Sequence, residues 1–182
     1  QFDCSNPAQA NAFLSSVFGP LNDKPGRPVA RDDFYGVSNC PPAGSEYVSP
    51  VNGTTNTFPG AGNVKLRKIR HYNLPNPIPF PLPGGTNFYN ASGTQLQGEI
   101  SSDGGNTWNQ VTAPASVTVR VIGQPSVGAT RVFDTEMLAL SVIGGSLPAG
   151  VRLRESPTLA SKGRTTQLAV NGGYRVSSFF DV

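Results

Sequence analysis

Few residues of this chain have both the type and the spacing that catalysis requires. The single histidine, His71, has no serine–aspartate or cysteine pattern nearby that would make it a general base. Two acidic pairs, Glu99 with Asp103 and Asp134 with Glu136, could act as paired carboxylates. Each pair lies in a local strand or turn pattern where solvent or turn hydrogen bonds account for the charges. We therefore predict no catalytic site and no cofactor, and we expect that the protein is not an enzyme.

The two cysteines, Cys4 and Cys40, have no histidine, cysteine or acidic cluster beside them that would complete a metal site. A disulfide between them is the favoured interpretation. Closing a loop of about 36 residues would stabilise the fold by about 3 to 4 kcal/mol through lost chain entropy. The acidic pair Asp32-Asp33 is an alternative site, for calcium, although its spacing differs from that of an EF-hand loop. We predict a disulfide and no bound metal.

Several features favour a secreted protein. A disulfide requires an oxidising compartment, and two Asn-x-Ser/Thr sequons, at Asn52 and Asn90, are candidate glycosylation sites. The chain starts with Gln1, and glutamine is common at an N-terminus that signal cleavage exposes. No apolar stretch approaches the roughly 18 to 20 residues that cross a bilayer. We expect an extracellular or cell-surface location without a membrane span.

One short segment carries a specific motif. Residues 101–108 read Ser-Ser-Asp-Gly-Gly-Asn-Thr-Trp. They match every fixed position of the Ser-x-Asp-x-Gly-x-Thr-Trp consensus of the Asp box, which is known from sialidases and other secreted β proteins. In such a turn Asp103 can accept hydrogen bonds from amides, and Trp108 can cover the hairpin. The resemblance implies a folding element, so a structural turn without a catalytic role is predicted for Ser101, Asp103, Gly105, Thr107 and Trp108.

The densest positive segment runs from Lys65 to His71, in a chain of formal net charge +3. Regular alternation along a strand would divide its four cations between two faces, each mixed with apolar residues, so that neither face is purely basic. The favoured interpretation is a solvated strand or one that protects a sheet edge. The alternative is an electrostatic contact with an acidic partner surface or an anionic polysaccharide. Nucleic acid is not expected as a partner, because the aromatic residues beside the cations are limited to Tyr72.

The elements that must position these residues follow from composition. Of the 182 residues, 21 are glycine, 17 are proline and only 14% are charged, which is typical of a loop-rich β protein. One helix is expected from Pro7 to Phe18, because Asn6 can cap it and Gly19-Pro20 can end it. The chain that follows has few periodic apolar positions, which indicates an extended arm. We assign residues 1–63 to the helix and arm, and residues 64–182 to a β-sandwich domain.

Strand patterns dominate after Gly84. Val117, Val119 and Val121 alternate with polar residues, as in a strand with one buried face. Turn residues recur about every 8 to 12 positions, which favours an antiparallel β-sandwich of jelly-roll or Ig-like type. The alternating prolines of residues 74–83 predict polyproline II or an edge strand. The predicted strands are Thr94–Ser101, Thr107–Val111, Ser116–Ile122, Arg131–Val142, Val151–Glu155, Thr165–Val170 and Tyr174–Phe180.

A second resemblance rests on four segments: Phe133 to Leu140, Gly144 to Val151, Leu153 to Leu159 and Gly163 to Thr165. They resemble a segment of secreted bacterial proteins from planctomycetes and verrucomicrobia, many of which carry sorting tails of the PEP-CTERM type. The resemblance covers about residues 131–182, with residues 99–108 in addition. It implies secretion and a β fold, and it assigns no catalytic residues. The resembling proteins continue into a further strand. This sequence differs from them, because it stops at Val182 and shows no sorting tail.

These patterns lead to one main functional hypothesis and two alternatives. A long arm, an apolar proline-rich segment and an apolar last strand favour a secreted structural subunit. Such a subunit would assemble with copies of itself into a fibre-like polymer by arm or strand exchange, because an open sheet edge must be covered. One alternative is a carbohydrate-binding or adhesive module with exposed tyrosine and tryptophan rings as sugar platforms. The other is a jelly-roll subunit of capsid type.

Overall fold

The computed structural model describes residues 39–41, 46–48, 56–57, 63–170 and 173–180. This part of the chain is all-β, with eleven strands and no helix. The helix predicted for residues 7–18 lies outside the described residues, as do Cys4, the side chain of Cys40, Asp32-Asp33 and Asn52. The strands are β1 (Asn39–Cys40), β2 (Tyr47–Val48), β3 (Asn56–Thr57), β4 (Lys65–Tyr72), β5 (Ile78–Pro79), β6 (Thr86–Ser101), β7 (Asn109–Val127), β8 (Thr130–Ile143), β9 (Arg152–Arg154), β10 (Ser161–Val170) and β11 (Gly173–Phe180).

Nine of the strands form one antiparallel sheet. Their order is β11-β10-β8-β7-β6-β4-β2, with β3 also paired to β4 and β9 also paired to β8. Strands β1 and β5 form a separate two-stranded sheet. The long strands β6, β7 and β8 are neighbours in sequence and in space, so the centre of the sheet is a meander of hairpins. The prediction of an all-β antiparallel fold is confirmed.

The sheet bends until its two ends approach each other. Strands β2 and β11 stand at opposite ends of the strand order. Nevertheless the Tyr47 hydroxyl on β2 donates a hydrogen bond of 3.1 Å to Ser178 Oγ on β11. Ser178 Oγ also lies 2.8 Å from the Thr165 hydroxyl on the neighbouring strand. Tyr47 packs against the main apolar cluster, which is the largest cluster of buried side chains among the described residues and includes Val119 and Phe133. The core therefore lies on the concave side of one bent sheet; we call this side the core face and the opposite side the outer face.

One side of β7 forms the floor of the core. Every second residue along this strand is buried, while the residues between them are more exposed. Period-two alternation of this kind is what a strand with one buried face requires. All three apolar clusters of the described residues contain part of this row. The row consists of Val111, Ala113, Ala115, Val117, Val119 and Val121.

The proline-rich segment covers one part of the core. Leu74 and Phe80 are buried, and the ring of Phe80 stacks on Phe133 with the centroids 4.3 Å apart. The Tyr89 hydroxyl donates to the carbonyl of Pro75 at 2.6 Å, which fixes the segment to β6. Within the segment, only residues 78–79 form a strand, on β1. The other part of the core is covered from the connection between β8 and β10, by Leu147, Val151 and Leu153.

Strand β7 continues through Pro114, where the sequence indicated two separate strands, Thr107–Val111 and Ser116–Ile122. That prediction is wrong, and the reason lies in the neighbouring strand. Pairing with β8 begins only at Ala115. On the N-terminal side of this point, the backbone of Thr112 bonds to Ser146 in the turn after β8. The Thr112 N–H donates to Ser146 Oγ at 2.8 Å, and the Thr112 carbonyl accepts from Ser146 N at 2.9 Å. Residues i and i+2 direct their backbone groups to the same side of a strand. The nitrogen of Pro114 thus faces a side without a β8 partner, and no ladder bond is lost.

Gly123 lies where the proline-rich segment crosses β7. Its N–H donates to the carbonyl of Gly85 at 2.9 Å, and its own carbonyl accepts from Gly84 N at 2.8 Å. A Cβ at this position would lie 2.2 Å from the carbonyl oxygen of Leu82. We expect Gly123→Ala to lower the free energy of unfolding by roughly 1 to 3 kcal/mol, because the backbone of the segment must move away. Urea denaturation measures the change.

The matched control is Gly128, in the turn between β7 and β8. It has a φ of +59° and no atom within 4 Å of an added Cβ. Asparagine adopts positive φ readily, so Gly128→Asn should change the free energy of unfolding by about 0.5 kcal/mol or less. Equal stability of the Gly123→Ala variant and the parent would contradict the close crossing.

Candidate functional site

A β-bulge in β4 determines which side chains reach the outer face. Arg67 is opposite Glu99 on β6, and Arg70 is opposite Gln97, so β4 contains one more residue than β6 over this stretch. The extra residue is accommodated at Lys68, which has a φ of +52°. The bulge shifts the alternation by one position between its two sides.

The bulge brings four cations to one side of the sheet. Regular alternation predicted that they would be divided between two faces. This prediction is wrong, because the extra residue of the bulge reverses the side on which every later side chain of β4 lies. The apolar residues Leu66 and Ile69 and the imidazole of His71 instead turn to the core. We call the four cations the basic patch, which consists of Lys65, Arg67, Lys68 and Arg70.

Glu99 is the anionic centre of this patch. Its carboxylate accepts hydrogen bonds from Lys68 Nζ at 2.8 Å and Arg67 Nε at 2.6 Å. Gln110 on β7 donates a third bond at 3.0 Å. The hydrogen bonds from Lys68 and then from Arg67 hold the pKa of Glu99 below its ordinary value. A carboxylate that is held ionised by two cations is poorly suited to donate a proton near neutral pH.

Two arginines of the patch stack on aromatic rings. The guanidinium carbon of Arg67 lies 3.9 Å from the ring centroid of Trp108, and that of Arg70 lies 4.5 Å from the centroid of Tyr72. Both distances are within the range of cation–π attraction. Arg70 is also paired with Glu46. The stacking therefore restrains both guanidinium groups on the outer face.

The Asp-box residues form a closed set of hydrogen bonds beside the patch. Asp103 Oδ1 accepts from Ser101 Oγ at 2.7 Å and from the Thr107 amide at 2.9 Å, and Oδ2 accepts from the Thr107 hydroxyl at 2.6 Å. The Gly105 amide donates to Ser101 Oγ at 2.8 Å, and the Trp108 indole donates to the Gly105 carbonyl at 2.9 Å. The bonds from Thr107 are the main reason why the pKa of Asp103 lies far below its usual range. These contacts suit a folding role for the turn, which remains a prediction.

The acidic pairs that the sequence singled out are engaged in separate contacts. Glu99 bonds to the basic patch, whereas Asp103 is turned into the Asp box. Asp134 accepts from Arg164 Nε at 2.8 Å, and Glu136 is paired with Arg120. Among the described residues there is no group of three or more histidine, cysteine, aspartate or glutamate side chains that could hold a metal ion.

His71 lies on the core face, away from the patch. Its Nε2 is 2.8 Å from the Thr94 hydroxyl oxygen, and this hydroxyl donates its own proton to the carbonyl of Ala115 at 2.9 Å. The histidine must therefore donate from Nε2, so the neutral imidazole is the tautomer that carries its proton on Nε2. Burial lowers the pKa of His71 to about 4. The contacts indicate that the imidazole connects β4 to β6 and β7.

Asn90, the sequon residue that the structure describes, is exposed on the outer face of β6. Its Oδ1 accepts a hydrogen bond of 3.0 Å from the Thr118 hydroxyl. A shallow depression of about 270 Å³ lies around it, lined mainly by small side chains of β6, β7 and β8. Glycosylation at Asn90 remains a prediction. In the part of the chain that is described, no helix has the length and apolar character to cross a membrane.

We expect Asp103→Ala to lower the melting temperature by a few degrees, because the amide and hydroxyl of Thr107 lose their acceptor. Thermal unfolding followed by circular dichroism measures the shift. Ser102→Ala is the control, since Ser102 is exposed and occupies a variable position of the motif. Because the pKa of Asp103 is lowered on folding, its contribution should be present above pH 4 and lost as the pH falls further. An unchanged melting temperature would instead exclude a folding role.

We also expect His71 to make stability depend on pH. The unfolded chain binds a proton near pH 6.5 and the folded chain only near pH 4, so the free energy of unfolding should fall as pH decreases through this window. The loss from this residue is roughly 3 kcal/mol. His71→Gln keeps a donor but does not titrate. The difference in stability between parent and variant should shrink or reverse from pH 7 to pH 4, and parallel pH profiles would contradict the assignment.

Comparison of the chain with known proteins finds no relative. No protein-family model matches it, and neither a curated protein nor a solved structure is significantly similar. The Asp-box and PEP-CTERM resemblances therefore remain expectations from the sequence. What the site can do is inferred from its own geometry: a restrained basic patch with two aromatic rings, next to a hydrogen-bonded turn.

Proposed function

We propose that the protein is a secreted, non-enzymatic structural subunit that assembles with copies of itself into an extracellular or surface polymer by arm or strand exchange. We further propose that its bent sheet is arranged as a β-sandwich. The observation that carries this proposal is that one edge of β11 pairs with none of the other described strands. The approach of β2 to β11 and the apolar cover over the core face support the sandwich arrangement.

Strand β11 offers one row of backbone groups to a further strand. Among the described strands it pairs only with β10. Val170 and Gly173 are opposite each other across two intervening residues, which makes them the hydrogen-bonded pair that closes a two-residue hairpin. Hydrogen-bonded and non-hydrogen-bonded pairs then alternate along the ladder. The residues whose N–H and C=O groups point away from β10 are therefore Tyr174, Val176, Ser178 and Phe180.

Extended pieces of the predicted arm already add strands to sheets within this chain. Strand β1 pairs with β5, and β2 and β3 each pair with β4, over two residues in every case. Short ladders of this kind can form between two copies with the same contacts, as in domain exchange. An arm from one copy that pairs with β11 of another would be a heterologous contact, which extends into a filament unless the rotation closes.

The test is a pair of variants at Tyr174. Proline removes the outward N–H of this residue but leaves the bonds to β10, since these come from its neighbours. Threonine removes the same ring and keeps the N–H. We expect Tyr174→Pro to reduce the polymer fraction in sedimentation by about tenfold, whereas Tyr174→Thr should assemble like the parent. Circular dichroism confirms that both variants fold.

Two outcomes would contradict the proposal. One is equal assembly of the proline and threonine variants, which would show that β11 is not the acceptor edge. The other is a parent chain that stays monomeric at high concentration. Negative-stain microscopy of the same samples separates filaments from the closed shells that a capsid-type subunit would form.

A further inference from the structure

We propose that the basic patch, together with Trp108 and Tyr72 at its two ends, binds a linear anionic polysaccharide. This site lies on the outer face over β4 and β6 and is separate from the edge of β11. It adds a ligand to the proposed function and does not depend on assembly. The inference rests on the order of the cations, on their exposure and on the polar side chains beside them.

The cations form a row along β6. Lys65 is opposite Ser101, Arg67 is opposite Glu99 and Arg70 is opposite Gln97, so successive cations are two residues of β6 apart. This corresponds to about 7 Å between neighbours. Tyr72 is opposite Gln95, so that the row from Ser101 to Gln95 is about 20 Å long. A row of evenly spaced cations is complementary to a chain with regularly repeated negative groups.

The patch keeps cationic groups available to a ligand. The side chains of Lys68 and Arg70 are 63% and 46% exposed, respectively. Arg67 bonds to Glu99 through Nε, which leaves its terminal nitrogens for a carboxylate or sulfate. Among the described residues, the four cations face two carboxylates, Glu99 and Glu46, because the nearby Asp103 is turned into the Asp box. The charge of this described set is therefore positive, and the stacked guanidinium groups are already restrained before binding.

The surroundings of the patch favour a sugar chain over a protein surface. On the β6 and β7 side of the cations, apart from the two stacked rings, the neighbouring side chains of the outer face are amides and a hydroxyl. Amides both donate and accept hydrogen bonds, as the hydroxyl groups of a polysaccharide do, whereas the centre of a protein interface is rich in apolar and aromatic groups. These neighbours are Gln95, Gln97, Gln110 and Thr112.

The experiment is calorimetric titration of the full chain with polygalacturonate at low ionic strength, with neutral dextran as the uncharged probe. We expect binding to polygalacturonate that weakens as salt is added, and no binding to dextran. The variant Lys68→Gln/Arg70→Gln should bind about tenfold more weakly. It leaves Arg67 on Glu99, so the buried carboxylate keeps a cationic partner.

The matched control removes the same charge elsewhere. Arg152→Gln/Arg154→Gln changes two exposed arginines on β9, on the far side of β6, β7 and β8 from the patch. It should bind polygalacturonate within about twofold of the parent. Equal weakening of both double variants would show that only the net charge matters, and would overturn the site.

Two further probes test the class of ligand. Gln97→Ala should weaken binding to polygalacturonate severalfold, because an amide that bonds to hydroxyl groups is lost. Polyglutamate and duplex DNA should bind the parent more weakly than polygalacturonate does at equal charge concentration. If either binds as tightly, or if polygalacturonate does not bind at low salt, the polysaccharide assignment is wrong.

Discussion

The rest of the structure depends on one long strand whose buried side carries small apolar residues without interruption. Each apolar cluster of the described residues contains a part of β7, from Val111 in one cluster to Val121 in another. Because Ala113 and Ala115 are small, leucines from the opposite connection can pack directly over them. A large or polar residue in this row would separate the cover from the sheet at one point of the core. The continuity of the core is therefore a property of a single strand and its alternation.

Composition and alternation predicted an all-β antiparallel fold and most of the longer strands, because both reflect local requirements of a half-buried sheet. The valines from Val117 to Val121 show this directly. The path of β7 through Pro114 was not predictable, since it depends on where the neighbouring strand ends. The bulge at Lys68, which shifts the alternation of side chains, was not predictable either. Lysine carries no preference for positive φ, and a glycine or asparagine at this position would have indicated a bulge.

The candidate site shows the same division between local and distant causes. The side-chain contacts of the Asp box are local, because they join residues within the short motif of residues 101–108. The basic patch joins residues of β4 with Glu99 on β6 and Trp108 before β7, so no short motif contains it. Its signal in the sequence was only the density of cations. Regular alternation then gave the wrong distribution of these cations, because one extra residue reverses every side chain beyond it.

Tyr47 also changes how the predicted arm must be understood. It packs against the main apolar cluster and bonds to Ser178 on β11. A deletion of residues 1–63 would therefore remove a core contact as well as the extended chain, and its effects on assembly and on folding would be mixed. For this reason a single backbone donor on β11 is the sharper probe of exchange.

The long ladders of the central meander have a mechanical consequence. Hydrogen bonds in an antiparallel pair run perpendicular to the strands. A pull along the strand direction would load the many bonds of the β6–β7 and β7–β8 ladders simultaneously, in shear. A pull across β10 and β11 would instead open their ladder one pair after another, like a zipper. The long central ladders thus resist tension along the strands better than the β10–β11 ladder resists tension across it, so the direction of the pull determines how much force these strands withstand.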